Sequence, residues 1–217
     1  MPSLRPEPQC AQLRILSTPG FGRKIVAPLL SGFHTQYPEI ALELLLSDHP
    51  ARLATDPIDV SFSEDRVGGS SIVARRLMPM QRIVCASPAY ARAHGLPQHV
   101  AELARHRCIN FRIASDSIQA WEFKVDGLVQ RHQRFARHTF NDAGLIVQAV
   151  LDGLGIAQLP AYQVCGLLAE RRLVPCLSQY APNDGGHYLC YLDRQPLPAH
   201  IGVFVDYMTA RMHALDL

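Results

Sequence analysis

The sequence is poor in the patterns that announce catalysis. It has no C-x-x-C pair, no H-E-x-x-H and no H-x-x-x-H. It also lacks the Gly/Lys frame of a phosphate-binding loop and the G-x-S-x-G of a nucleophile elbow. Ten histidines are dispersed, and His106-x-Cys108 is the nearest approach to a metal pair, too weak to argue a site. No motif anchors a Ser/His/Asp triad. No apolar run approaches the roughly 20 residues a spanning helix needs. Charge is sparse as well. Charged residues make up 18% of the chain and the formal net charge is +2, so the basic stripe of a DNA-binding module is missing. The nearest candidates, Arg75-Arg76, Arg171-Arg172 and the cluster from Arg131 to His138, are short and mixed with apolar residues. If the protein acts on DNA, another segment must touch it. The six cysteines are scattered, and most lie in or beside apolar runs, as expected of reduced thiols packing as small hydrophobes. A cytoplasmic, reduced protein is expected. The start, "MPSLRPEPQCAQ", has no apolar signal core and reads as a linker remnant of a longer chain.

What is present is ordinary globular material. With 217 residues and 48% hydrophobic content, the chain can bury roughly 70% of its unfolded surface. Apolar periodicity predicts strands near 13–17, 40–47 and 58–62, with a helix over 22–36 between the first two. The run "IALELLLS" reads as a strand buried on both faces. "DHPARLATDP" reads as a short helix and a turn. Two strands meet near Pro79, and a helix follows at 88–95. Asp126-Gly127 marks a hairpin turn. Asn141 or Asp142 caps a helix ending at Gly153, and a strand, another helix and two strands lead to an amphipathic C-terminal helix. Strands and helices alternate around an antiparallel hairpin, which argues α/β with mainly parallel pairing. The strand–helix unit near 13–36 is echoed near 137–159. Two such lobes place a cleft at strand C-terminal ends, where open α/β sheets bind ligands.

Within that frame, "LSTPGFGRK" (16–24) joins a strand to a helix. Ser17 and Thr18 offer hydroxyls there, and the backbone N–H groups after Pro19 offer donors to an anion. A plain turn and cap fits equally well. Ser47 ends the second strand and Phe62-Ser63 end the third, so a parallel sheet brings them to the same edge. The loop carrying Ser115, Asp116 and Ser117 before Trp121 either covers a cleft from the opposite lobe or is an ordinary solvated loop.

Several stretches, taken in order, resemble the effector-binding domain of LysR-type transcriptional regulators. They are "LRILSTPGFGRKIVAPLLSGFHTQYPEIALELLLSD", "IDVSFS", "LMPMQRIVCASPAYARAHGLPQHVAELARHRCINF", "NDAGLIVQAVLDGLGIAQLPAYQV" and "RRLVPCL". The likeness runs from about Leu13 to Tyr207, and "ASPAY…HG.P" and "DGLGIAQLP" are its most specific pieces. It implies a periplasmic-binding-protein type II-like fold, with two Rossmann-like subdomains joined by two crossover strands near Ile83–Ser87 and Gly186–Tyr191. The implied division is a linker at 1–12, subdomain I at 13–84 and 190–217, and subdomain II at 85–189. The resemblance implies an effector site at Ser17, Thr18, Pro19, Ser47, Phe62, Ser63, Ser115, Asp116, Ser117 and Asn141, with no metal and no cofactor. Members of the family often carry arginine where this chain has Ser63. Without it the effector is less anionic, or Arg112 or Arg66 meets its charge. The expected partners are a small-molecule effector, with carboxylates as the candidate class, a second copy of the chain, and DNA only through an N-terminal helix-turn-helix domain. No membrane contact is expected. The alternatives are an exported solute-binding protein of the same fold and, behind it, an enzyme on this fold.

Overall fold

The computed structural model describes residues 11–64, 69, 71–113, 116–133, 136–182 and 185–215. The chain opens with β1 (Ala11–Ser17), a single helical turn α1 (Pro19–Phe21), a π-helical turn (Gly22–Val26) and α2 (Ala27–Gln36). Next come β2 (Ile40–Leu46), β3 (Val60–Ser63), β4 (Ile72–Pro79) and β5 (Arg82–Ala86). Then follow α3 (Pro88–His94), a 3-10 turn (Val100–Arg105), β6 (Cys108–Phe111), β7 (Trp121–Val125), β8 (Leu128–His132) and β9 (Ala136–Phe140). The chain continues through α4 (Ala143–Leu151), β10 (Ala157–Pro160), α5 (Ala161–Ala169), β11 (Val174–Cys176), β12 (Gly186–Leu192) and α6 (Ala199–His213).

Two lobes result. In the first, the sheet order is β2-β1-β3-β12-β4. β1 runs parallel to β2 and β3, while β12 is antiparallel to β3 and β4. α2 and α6 pack on one face, burying Leu13, Ile15, Phe33, Phe204 and Met208 completely. The second lobe is built on β10-β5-β11, antiparallel throughout, beside the parallel pair β6-β9 and the hairpin β7-β8. Trp121 and Phe123 sit in its core. Burial pushes the Cys85 and Cys176 thiols up to about 12, so both pack as apolar groups.

The structure corrects several expectations. The pairing is mixed, because β12, returning from the second lobe, runs antiparallel to β3 and β4, and β10 and β11 run antiparallel to β5. β2 is an edge strand, and Leu45 and Leu46 at its end are exposed. An apolar run alone does not distinguish a doubly covered strand from an edge awaiting a partner. "DHPARLATDP" forms turns without a helix. β5 pairs within the second lobe along its whole length, and β12 pairs within the first from Gly186 onward. The chain therefore passes between lobes at Met80–Gln81 and just ahead of Gly186, earlier than the expected boundaries after residues 84 and 189. The Met80 N–H donates to the Gly185 carbonyl at 3.2 Å and Arg76 Nη2 donates to the same oxygen at 2.8 Å, tying the two passages together. Residues 11 and 12, assigned to the linker, pair with β2 as part of β1. Residues 1–10 lie outside the described residues.

The "DGLGIAQLP" stretch has a mechanical reason. After α4, the chain turns back so that the Ile156 N–H donates to the Arg107 carbonyl at 2.8 Å. A Cβ on Gly155 would stand 2.3 Å from that carbonyl oxygen. A Cβ on Gly166, inside α5, would meet nothing within 4 Å. Urea denaturation therefore separates the two positions. Gly155→Ala costs about 1–3 kcal/mol because rigid backbone must move, and Gly166→Ala stabilises by about 0.5–1 kcal/mol as a helix-interior replacement.

Candidate functional site

The C-terminal ends of β2, β1 and β3 line up as the parallel ladder requires. The Ser47 N–H donates to the Ser17 carbonyl at 3.0 Å, holding the two strand ends together. Opposite them stand the hairpin β7-β8, the start of α4 and the junction of β10 with α5. Between the walls lies a cleft of about 480 Å³, within the range of small-molecule sites. Ser17, Thr18, Pro19, Ser47, Phe62, Ser63 and Asn141 all line it. Asp116 lies instead in an adjoining hollow of about 330 Å³ that shares Asp48, His49 and Asn141 with the cleft. Its carboxylate accepts from Arg112 Nη1 at 2.8 Å. Ser117 lines neither cavity, and Ser115 and Arg66 lie outside the described residues.

Ser17 is 1% exposed, and its Oγ has no hydrogen-bond partner. A buried hydroxyl in that state carries an uncompensated desolvation cost. Thr18 occupies the N-cap position with an extended backbone but makes no side-chain capping bond. Ser47 Oγ accepts from the His49 N–H at 3.0 Å, shaping the turn beyond β2. Of the two capping candidates, Asp142 is the cap. It accepts from the Leu145 N–H at 3.1 Å and from Arg23 Nη1, across the mouth of the cleft, at 2.8 Å. Burial works to raise its pKa, but these donors outweigh it and hold the carboxyl below the usual range.

Other lining residues are absent from the set expected from the sequence. Arg82, at the passage between lobes, donates from Nη2 to Glu64 at 2.8 Å, while its buried Nε has no partner. Glu122 and Arg131 stand directly opposite in the hairpin register, with Nε donating to Oε1 at 2.9 Å. The hairpin signal and its alternation suffice to predict that pair. The Gln158 amide donates to the Glu122 carbonyl at 2.8 Å and accepts from its N–H at 3.0 Å, fixing the hairpin over the cleft. Asp48, beyond β2, has its pKa raised by partial burial and then by Asp142, against His49 and Arg23.

Behind the cleft the lobes touch through aromatic rings. His187 stacks on Phe21 with centroids 4.3 Å apart and planes at 13°, and Tyr162 meets it edge-on at 5.4 Å. Gly20 passes so close that a Cβ there would fall 2.8 Å from Gln163 Nε2 and 3.1 Å from the Tyr162 hydroxyl. The glycine in the turn therefore serves lobe contact.

Two α/β lobes joined by two passages, with a polar cleft at the strand ends between them, define a periplasmic-binding-protein type II-like domain. Comparison with known proteins is consistent. Residues 6–213 match the LysR substrate binding domain model, and the chain belongs to that family, the effector-sensing domain of LysR-type transcriptional regulators. The HTH-type transcriptional regulator DmlR of Escherichia coli is 27% identical over 208 residues, covering 94% of this chain and 66% of that protein. The regulatory domain of AphB from Vibrio vulnificus superposes with a TM-score of 0.79 at 27% identity, covering 93% of this chain and 99% of that one. CrgA of Neisseria meningitidis, a LysR-type transcriptional regulator, gives a TM-score of 0.82 at 25% identity, covering 93% and 68%. The chain thus spans about two thirds of the length of the curated relatives it matches. No helix among the described residues is long and apolar enough to cross a membrane.

His187 generates a pH prediction. Burial, and then the Arg82 charge, push its pKa down from 6.5 to about 4, so the folded state holds it neutral. Between those values the unfolded chain binds the proton and the folded chain does not. Stability is therefore full above pH 6.5 and falls as pH drops toward 4, by on the order of 3 kcal/mol. Denaturation midpoints across that range should show the slope, and His187→Phe should flatten it.

Proposed function

We propose that the interlobe cleft binds a small-molecule effector through Ser17, Thr18, Pro19, Ser47, Phe62, Ser63 and Asn141. The observation that carries this is Ser17 Oγ, buried and without a partner on the cleft wall. A ligand oxygen or nitrogen there removes a desolvation cost that the folded chain alone leaves standing. Asp116 contributes from the adjoining hollow. In this reading the effector shifts the balance between lobe arrangements by its differential affinity for them. The shift passes through a homodimer or higher assembly to a DNA-binding domain in the longer protein, in the cytoplasm. The names of the relatives as HTH-type regulators, and the share of their length that this chain spans, support that setting. They favour a sensor over an exported solute-binding protein and over an enzyme.

The test begins with a ligand found by thermal-shift screening of small metabolites. Thr18 makes no capping bond, so Thr18→Ala leaves stability within about 0.5 kcal/mol of the parent. Removing its contact to the ligand lowers affinity roughly threefold to tenfold by calorimetry. Ser47→Ala behaves similarly for binding and also loosens the turn at His49. Unchanged affinity in both variants overturns the site.

A further inference from the structure

The ion pairs on the cleft walls constrain what charge a ligand there can carry. Arg82 is bound to Glu64 at 2.8 Å and Arg131 to Glu122 at 2.9 Å. Asp142 is bound to Arg23 at 2.8 Å. Each arginine among the described lining residues is thereby neutralised by a carboxylate of the protein. Among those same residues, Asp48 is the charged side chain left with neither an ion pair nor a hydrogen bond. The wall therefore carries one negative charge without an ion-pair partner at the β2 end, where burial and the Asp142 carboxylate disfavour it more than His49 and Arg23 favour it.

An anionic ligand meets that charge unfavourably. To reach a guanidinium on equal terms it must displace Glu64 from a contact that leaves the Arg82 side chain 12% exposed. A protonated nitrogen gains on both counts, because charge-assisted hydrogen bonds to a partly desolvated carboxylate are the stronger kind. The two buried atoms of the cleft lining without partners, Arg82 Nε and Ser17 Oγ, ask for something different. Nε can only donate, so it needs an oxygen acceptor, and the serine hydroxyl accepts or donates.

Together, the geometry points to an effector that carries a protonated nitrogen, an ammonium or guanidinium, seated on Asp48, with an uncharged oxygen facing Arg82 Nε and Ser17 Oγ. This rests on the cleft being the effector site, and it replaces the carboxylate expected from the sequence. Asp48 thus keeps a charge that costs the ligand-free protein stability and is compensated when ligand arrives.

A matched set of four-carbon probes separates the possibilities: a diamine, an amino alcohol, a diol and a diacid. Melting temperatures are read for the wild type, Asp48→Asn and Ser17→Leu. The amino alcohol and the diamine should raise the wild-type melting temperature, while the diol and the diacid leave it unchanged. Asp48→Asn should weaken the amines about tenfold or more and should melt higher than the wild type without ligand at neutral pH. Ser17→Leu should abolish the shift by filling the wall. A diacid shift that survives Asp48→Asn but is lost in Ser17→Leu overturns this inference while leaving the cleft as the effector site. Amine shifts that survive both variants overturn the cleft as well. No shift with either amine, or a lower melting temperature for ligand-free Asp48→Asn, also overturns the role given to Asp48.

Discussion

His187 lies in a layer with Phe21 and Tyr162, and that layer packs the two lobes against each other beside the passages that join them. Phe21 comes from the turn after β1, Tyr162 from α5 and His187 from the start of β12. Phe21 and Tyr162 also meet directly, edge to face at 5.3 Å and 81°, an arrangement that offset ring charges favour. The layer depends on two conditions. His187 must stay neutral, which its burial and the neighbouring Arg82 charge enforce. The strand–helix turn must also come close, which Gly20 permits by lacking a Cβ. Arg82 then reaches past the rings to Glu64, so the floor of the cleft and the contact behind it share one set of residues.

The mouth of the cleft is held far less firmly. Its visible tie is Arg23 to Asp142, with the arginine side chain 62% exposed. Pairs of that exposure contribute about 0.2–1 kcal/mol. The buried aromatic floor is thus the firmer part of the contact between the lobes and the exposed mouth the weaker. Effector coupling between sites is commonly about 1–3 kcal/mol, comparable to a few hydrogen bonds made in one arrangement and missed in the other. The π-helical turn over Gly22–Val26 lies on the same wall. Such turns recur at functional positions, where they re-aim backbone groups.

Most of the element order is legible in the sequence because each piece carries a local signal. Ser87 and Pro88 open α3, Asp126-Gly127 turns the hairpin, and the glycines after α4 start β10. The first-lobe wall is legible for a related reason: once β1, β2 and β3 run parallel, their ends must share an edge, and Ser17, Ser47 and Phe62 follow. Pairing partners are less visible. Nothing local in "IALELLLS" tells an edge strand from a central one, and nothing in "QRIVCAS" fixes which lobe receives it. Apart from the hairpin pair Glu122–Arg131, the charged side chains of the cleft are hidden for the same reason. Arg82 and Glu64 are 18 residues apart, and Arg23 and Asp142 are 119 apart, so their pairing is a product of the fold. The carboxylate expectation rests on the backbone donors after Pro19 and on the family resemblance, neither of which shows which arginines the protein neutralises itself.

The central claim is that a ligand seats between the walls and engages both at once. Amide hydrogen exchange, with and without a saturating ligand, tests it most directly. The account predicts that protection rises together at 17–22 and 47–49 on one wall and at 141–145 on the other, while α6 is unchanged. Protection confined to one wall, or appearing on the α6 face alone, would contradict it.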